Sequence, residues 1–526
     1  MKRGKQIFMT GCLVAVFALG IGSATAKHHA DAAAVKIEAA NFPDERVRMW
    51  VNKWDTNKDG SLSDAEIQAV TSARLDPLWT EEQCKTLVDF TGLQYFTNLK
   101  KVEISLEDSN PQYKRWMYKD TDMSKYFPYV EELGVGGQYN VRLTGKYPKL
   151  RTLSLCGTDI MCDVTAPNVT ELSLSMSDGY GEAERKNHLF LNRKLCEQFP
   201  AVRKLYCAAV TDAEKQLYGF QHLEDLTISH YNIKDKTIDL SPYKNTLRWL
   251  QLGTCSGDGW IRTKRMPWWD HSETVTSLDL SMMSKLERVS ICDMINLQNL
   301  ILVDQKGQSA LKNLKELYVL RNKVKSLDLS QASSLKVLKV GGRISTLDVQ
   351  NCKQLEQLYI VSNYMKKLTV KNSTLRDFYF YGTNLTKLDV KGCPQLRSFN
   401  LPRYRKKSFK RIDLRKNKKL QSIWIEKKVS VDRIILPLVK NKKYAYQWMK
   451  AYLLTDYSFW GNYSAKVLDL SEYKKLPAKL TKLKIKKVSR ISTKLKKIVI
   501  NKKLSKKDRK WLHKALKGTK IKIVKK

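Results

Sequence analysis

The chain has 526 residues, 42% of them hydrophobic, so it can build a sizeable core or several domains, and a disordered polyelectrolyte is excluded. Its formal charge is +43, and +34 of that falls in residues 401–526, where 41 Lys or Arg face 7 Asp or Glu. Those basic residues are 34 Lys and 7 Arg, point charges suited to attracting a polyanion more than to reading its pattern; for a chain with the export signal of residues 1–26, wall polymers, anionic headgroups or acidic glycans are expected and nucleic acid is not.

Residues 1–26 read as a secretory signal: a basic "MKRGK", an apolar "LVAVFALGIG" and a small-residue "ATA" that sets cleavage after Ala26. Cys12 lies ahead of most of the apolar run, which argues against a lipid-modified cysteine. No later stretch is apolar enough to span a membrane. Removing Cys12 leaves nine cysteines of ten, an odd number without a CxxC pair, so the expectation is core thiols with no disulfide framework and no metal cluster. Cys352 and Cys393 recur at one place two repeats apart, too far to bridge easily in a stacked array.

After a linker over 27–40, residues 41–92 read as a small helical cap. In "DTNKDGSLSDAE", Asp55, Asn57, Asp59 and Glu66 fall at positions 1, 3, 5 and 12 of an EF-hand loop, with Gly60 at the sharp turn. Ser61 would offer its carbonyl and Ser63 a water, completing the hard oxygen cage that Ca²⁺ prefers. "FPDERVRMWVNKW" places Val47, Val51 and Trp54 on one helical face before the loop, and "AEIQAV" continues after it. A metal-free alternative stays open, because Ser63 and Glu66 also spell a capping box. No second loop follows: "DTDMSK" at 120–125 lacks the glycine and the closing glutamate.

Internal repetition sets the architecture over 93–436. "LKELYVLRNKV", "LEQLYIVSNYM" and "LRDFYFYGTNL" share L-x-x-L-x-L-x-x-N-x-L, the leucine-rich-repeat signature, with Asn322, Asn363 and Thr383 at the asparagine position. Repeats starting at Leu314, Leu335, Leu355, Leu375, Leu396 and Leu420 are 21, 20, 20, 21 and 24 residues apart. Between them lie "VKSLDL", "ISTLDV", "MKKLTV", "LTKLDV" and "FKRIDL", too short for a convex helix. The expected fold is therefore mainly β, or α+β: a solenoid with two short strands per coil, a helical EF-hand-like N-terminal cap and a basic C-terminal cap.

Within a strand the residue between two inward leucines faces out, which lines up Tyr318, Lys339, Tyr359, Tyr379, Asn400 and Trp424, with Tyr381 as a neighbour. The other half-repeat gives Asp328, Asp348, Thr369, Asp389 and Asp413. An aromatic column suits sugar rings or a protein hot spot, or it reflects aromatics packing across coils. Long insertions interrupt 105–270; one, "DGWIRTKRMPWWDHSE", gathers Trp260, Trp268 and Trp269 as binding anchors or as the private core of a folded-back loop.

Residues 437–526 begin with an aromatic-rich stretch and end in a lysine-rich one. "KLKI", "KIVI" and "IKIV" read as strands and "SKKDRKWLHKAL" as a helix, making a basic cap over the open end of the solenoid. Lys484, Lys486, Lys487, Lys502, Lys503, Lys506 and Lys507 are the candidate polyanion contacts, with a simple solvated face as the alternative. The seven histidines show no HExxH, and no GxSxG, P-loop or dinucleotide fingerprint occurs, so an enzyme is not expected.

Together, "NFPDERVRMWVNKWDTNKDGSLSDAEI", the junction "FTGLQYFTNLKKVEIS" and repeats such as "LTKLDVKGCPQLRSFNL" resemble the secreted leucine-rich-repeat proteins of Gram-positive gut bacteria, broadly similar to internalins. The asparagine ladder is incomplete and no LPxTG-type signal is present, both departures from that pattern. The resemblance implies a secreted or surface-held binding protein for a host protein or glycan. The rival is a structural envelope protein held to wall polyanions by its basic end. Calcium in either case would be a structural staple.

Overall fold

The computed structural model describes residues 34–75, 86–106, 118–137, 141–157, 159–176, 189–191, 193–208, 218–229, 236–253, 274–382, 384–401, 409–425, 429, 431–454, 465–482 and 495–526. The signal segment, Thr383, the tryptophans Trp260, Trp268 and Trp269, and the lysines Lys484, Lys486 and Lys487 lie outside them.

Leucine spacing of about one coil forces the chain to stack, because an isolated coil has no partner for its apolar face. The result is a 15-stranded sheet running from Ser72–Leu75 to Ser422–Ile425, with its strands in chain order. All its pairings are parallel. Leu317, Leu338, Leu358, Phe378, Phe399 and Ile423 stand opposite one another in successive strands and are buried. Fixing one such row fixes every row beside it.

The second half-repeat pairs more sparingly. Thr346–Asp348 pairs with Lys367–Thr369, and Ser277–Asp279 with Asn299–Ile301. The segments at 324–329 and 385–390 carry no strand, so the expected two strands per coil hold only in part. At the first of these a backbone bond from Ser345 N–H to the Lys325 carbonyl, 2.9 Å, joins the neighbouring coils without a ladder.

Turns after the half-repeats are built by aspartate. Asp279, Asp328, Asp348, Asp389 and Asp469 each accept the backbone N–H two residues on, at 2.9–3.0 Å. The column read as an acidic face is thus largely a set of turn-closing carboxylates. Buried amides close other turns: Asn417 donates to the Val390 and Cys393 carbonyls, both at 2.8 Å, and Asn372 also donates to Cys352. At the asparagine position of the repeat, Asn322 is buried but Asn363 is exposed. Ser362 takes the inner place, its hydroxyl donating to the Ile344 carbonyl at 2.7 Å.

The helix Glu45–Val51 and the helix Asp64–Ala69 cap the first coil. Trp50 stacks on Phe90 at 6.4 Å and Trp54 meets Phe96 edge-on at 4.6 Å, so the cap and the junction share one core. Gly92 sits at φ +103°, where a Cβ would lie 2.2 Å from the Phe42 ring. A buried ion pair between Arg46 and Asp44, 2.6 Å, completes the seam: Arg46 donates to the Thr86 and Leu87 carbonyls, and Asp44 accepts from Asp89 N–H.

At the other end, Phe409–Asp413, Val431–Ile435, Ala465–Leu470, Lys497–Ile500 and Lys522–Lys525 form one five-stranded parallel sheet that runs across residue 436. Helices at Lys442–Leu454, Ala478–Thr481 and Lys506–Ala515 lie between its last strands, so the turn-linked coils give way to helix-linked ones. Cysteine behaviour differs from the expectation at one position. Cys292 is disulfide-bonded to a partner outside the described residues, whereas Cys162, Cys207, Cys352 and Cys393 are buried thiols.

Leu358 is fully buried in the inward row. Leu358→Ala should lower the unfolding free energy in urea by about 2–5 kcal/mol. A loss under about 1 kcal/mol would contradict inward stacking.

Candidate functional site

The cap loop is held by its own carboxylates. Asp55 is buried and accepts Lys58 N–H at 2.7 Å and Gly60 N–H at 2.9 Å; Asn57 accepts Asp59 N–H, and Asp59 accepts Ser61 N–H. Gly60 adopts φ +80°, as the turn position requires. Ser61–Leu62 then pairs antiparallel with Val35–Lys36, so a strand from the preceding segment covers the loop.

Glu66 closes the other side. Its carboxylate accepts from Thr56 N–H and hydroxyl, each at 2.7 Å, and from Ser63 N–H and hydroxyl at 3.0 and 2.8 Å. The Ser63 hydroxyl oxygen in turn accepts from Glu66 N–H, so the capping box is present. These donors, the Ser63 N–H first, hold the Glu66 carboxyl down at about 2. Among the described residues no ion pair engages Asp55, Asp59 or Glu66, and no three His, Cys, Asp or Glu side chains converge to hold a metal. The donor set is hard oxygen throughout, which fits Ca²⁺ in chemistry, while Glu66 is occupied by hydroxyl and amide donors.

The outward row of the long sheet is in register as Tyr318, Lys339, Tyr359, Tyr379, Asn400 and Trp424. Lys339 Nζ lies 4.7 Å from the Tyr318 ring centre and 5.5 Å from that of Tyr359, and Tyr359 meets Tyr379 at 5.7 Å. The side chains are half-buried by one another and half-exposed, so they pack across coils and still present a face. Burial, then the bond from the Tyr318 hydroxyl to Glu316, pushes the Tyr318 phenol up to about 12. Burial pulls the Lys339 ammonium below its ordinary value. Tyr381 occupies the next outward row beside Val361, and Asn400 separates Trp424 from Tyr379.

Two residues of this face escaped the sequence reading. Arg288 stacks over Tyr318 at 5.4 Å, and Trp249, paired with Arg288 across the strands, is 48% exposed. Both stand one outward row earlier, so applying the period-two rule to that row as well would have found them.

At the basic end, Lys502, Lys503, Lys506 and Lys507 are exposed and in no ion pair among the described residues. The helix Lys506–Ala515 buries Trp511, Leu512 and Ala515. Asp508, the one acid in residues 495–526, also turns inward and accepts Leu476 N–H at 3.0 Å. No described helix is long and apolar enough to cross a membrane.

No protein-family model matches this chain, and no curated protein sequence matches it. Among solved structures, one match is the functional domain of InlJ from Listeria monocytogenes, described as including a cysteine ladder, at 15% identity and a TM-score of 0.40. That alignment covers 84% of this chain and 83% of the other.

The Glu66 carboxyl is depressed from its ordinary 4.5 to about 2, so its stabilising contribution is complete above the ordinary value and is lost as the pH falls through the folded one. In chelator, the melting-temperature deficit of Glu66→Gln should therefore shrink between about pH 5 and pH 2. A deficit that stays constant across that window would contradict this.

Proposed function

We propose that the chain is a secreted or cell-surface leucine-rich-repeat recognition module, without catalytic activity, that binds a host or cell-surface protein or glycan on its outward sheet. The observation that carries this reading is the contiguous row of half-exposed Tyr318, Lys339, Tyr359 and Tyr379, extended by Arg288 and Trp249. Flat rings with polar tips, alternating with cations, give large contact area at low side-chain entropy cost, which is what hot spots need. The Cys292 disulfide favours an oxidising compartment and thus export.

Calcium in this reading is a structural ion. Asp55, Asn57, Asp59, the Ser61 carbonyl and Glu66 would hold it, with a water on Ser63, and Glu66 would exchange its Thr56 and Ser63 donors for the ion. Extracellular modules of this type work with dissociation constants of roughly 10⁻⁴–10⁻³ M, so the loop would be filled constitutively outside the cell.

A second reading rests on the exposed lysines of the last coils. Lys502, Lys503, Lys506 and Lys507 would hold an envelope protein to wall polyanions with no specific ligand. The lysines at 484, 486 and 487 belong to the same basic stretch by sequence.

One array experiment separates the two. Labelled protein on glycan and matrix-protein arrays should give ligand-specific signal that weakens at least about tenfold in Tyr359→Ala/Tyr379→Ala/Trp424→Ala. Added Ca²⁺ should raise the melting temperature without switching that signal. Uniform, salt-sensitive binding to polyanions that survives the triple substitution would overturn the first reading in favour of the second.

A further inference from the structure

The edge where the long-sheet strands begin carries a second feature, unconnected to the aromatic row. The residue just before each strand stacks on its counterpart in the coil before: Arg203, Glu224, Arg248, Glu287, Lys315 and Lys336 follow one another, each backbone N–H after the first donating to the preceding residue's carbonyl at 2.8 Å. Parallel strands lie about 4.8 Å apart, so these six positions span about 24 Å along the solenoid. They border an open groove of about 630 Å³.

Charge in the groove is spaced and only partly balanced. Glu287 is shared by Arg248 and Lys315, and Glu224 holds Arg203. Lys336 and, two residues before Glu287, Lys285 also line it and are in no ion pair among the described residues. Between the cations come uncharged polar groups: Thr246, Asn313, Ser334 and Gln354.

We infer that this groove binds a linear acidic polysaccharide whose carboxylates are separated by neutral sugars, laid along the solenoid axis. Lys285 and Lys336 take the carboxylates, and the hydroxyl and amide groups between them take sugar hydroxyls. Arg203, Arg248 and Lys315 already hold Glu224 and Glu287, so the cations left for a ligand, Lys285 and Lys336, stand in coils two apart, a spacing that suits separated carboxylates.

Hyaluronan oligosaccharides, which carry one carboxylate per two sugars, are the probe, measured by calorimetry against the full chain with dextran alongside. Lys285→Glu/Lys336→Glu alters two exposed side chains and should weaken hyaluronan binding at least about tenfold, with the melting temperature retained. Tyr359→Ala/Tyr379→Ala/Trp424→Ala should leave it unchanged, which separates this site from the aromatic face. The inference is overturned by no hyaluronan binding, by equal binding in the lysine double variant, by loss in the aromatic triple variant, or by dextran binding as tightly.

Discussion

One coil of this chain cannot bury its own leucines, and every other feature follows from that constraint. A coil of about 20 residues presents a flat apolar face that becomes a core only when another coil covers it. Covering it in register lets backbone bonds link coil to coil, as in the unbroken series from Lys100 to Gln421. Each fully buried side chain of the Leu338 and Leu358 row adds about 1.5–3 kcal/mol, so the array is stabilised by the sum of many equal contributions.

Register then dictates what appears outside. Because side chains alternate, a row of inward leucines guarantees a row of outward residues on either side, and those rows are where this chain concentrates its chemistry. Tyr318, Lys339, Tyr359 and Tyr379 form one such row. The ladder from Arg203 to Lys336 lies just before the strands, outside that alternation, and is aligned by the same coil-on-coil register. Exposed ion pairs there are individually worth little, under about 1 kcal/mol, so they add little to the stability of the stack. Turn chemistry keeps the coils equal in length: aspartates close the half-repeat turns, and Gly342 at φ +73° admits the Asn322 carbonyl where a Cβ would stand 2.4 Å away.

Much of this was legible in the sequence because it is local. Leucine spacing and period-two alternation gave the long sheet and its outward row residue by residue, and the Ser63 and Glu66 pair gave the second cap helix with its capping box. Features that depend on distant partners were not. Thr56 as a donor to Glu66, and Val35–Lys36 as cover for the loop, depend on how the chain returns on itself. Asn363 and Ser362 are adjacent, and only the path of the turn decides which goes inward. In the basic end the strands Lys497–Ile500 and Lys522–Lys525 were legible as "KIVI" and "IKIV", but their union with Phe409–Asp413, Val431–Ile435 and Ala465–Leu470 in one sheet was not, because that pairing joins segments far apart in the chain.

The central claim is that neighbouring coils stack in one fixed register, since both proposed recognition surfaces are consequences of it. Disulfide mapping tests it most directly, because parallel neighbours in register lie within the Cα separation of about 4.4–6.8 Å that a disulfide spans, and strands two apart do not. Under mild oxidation Tyr359→Cys with Tyr379→Cys should cross-link, and Tyr359→Cys with Asn400→Cys should not. The reverse pattern, or cross-linking of both pairs alike, would contradict the account.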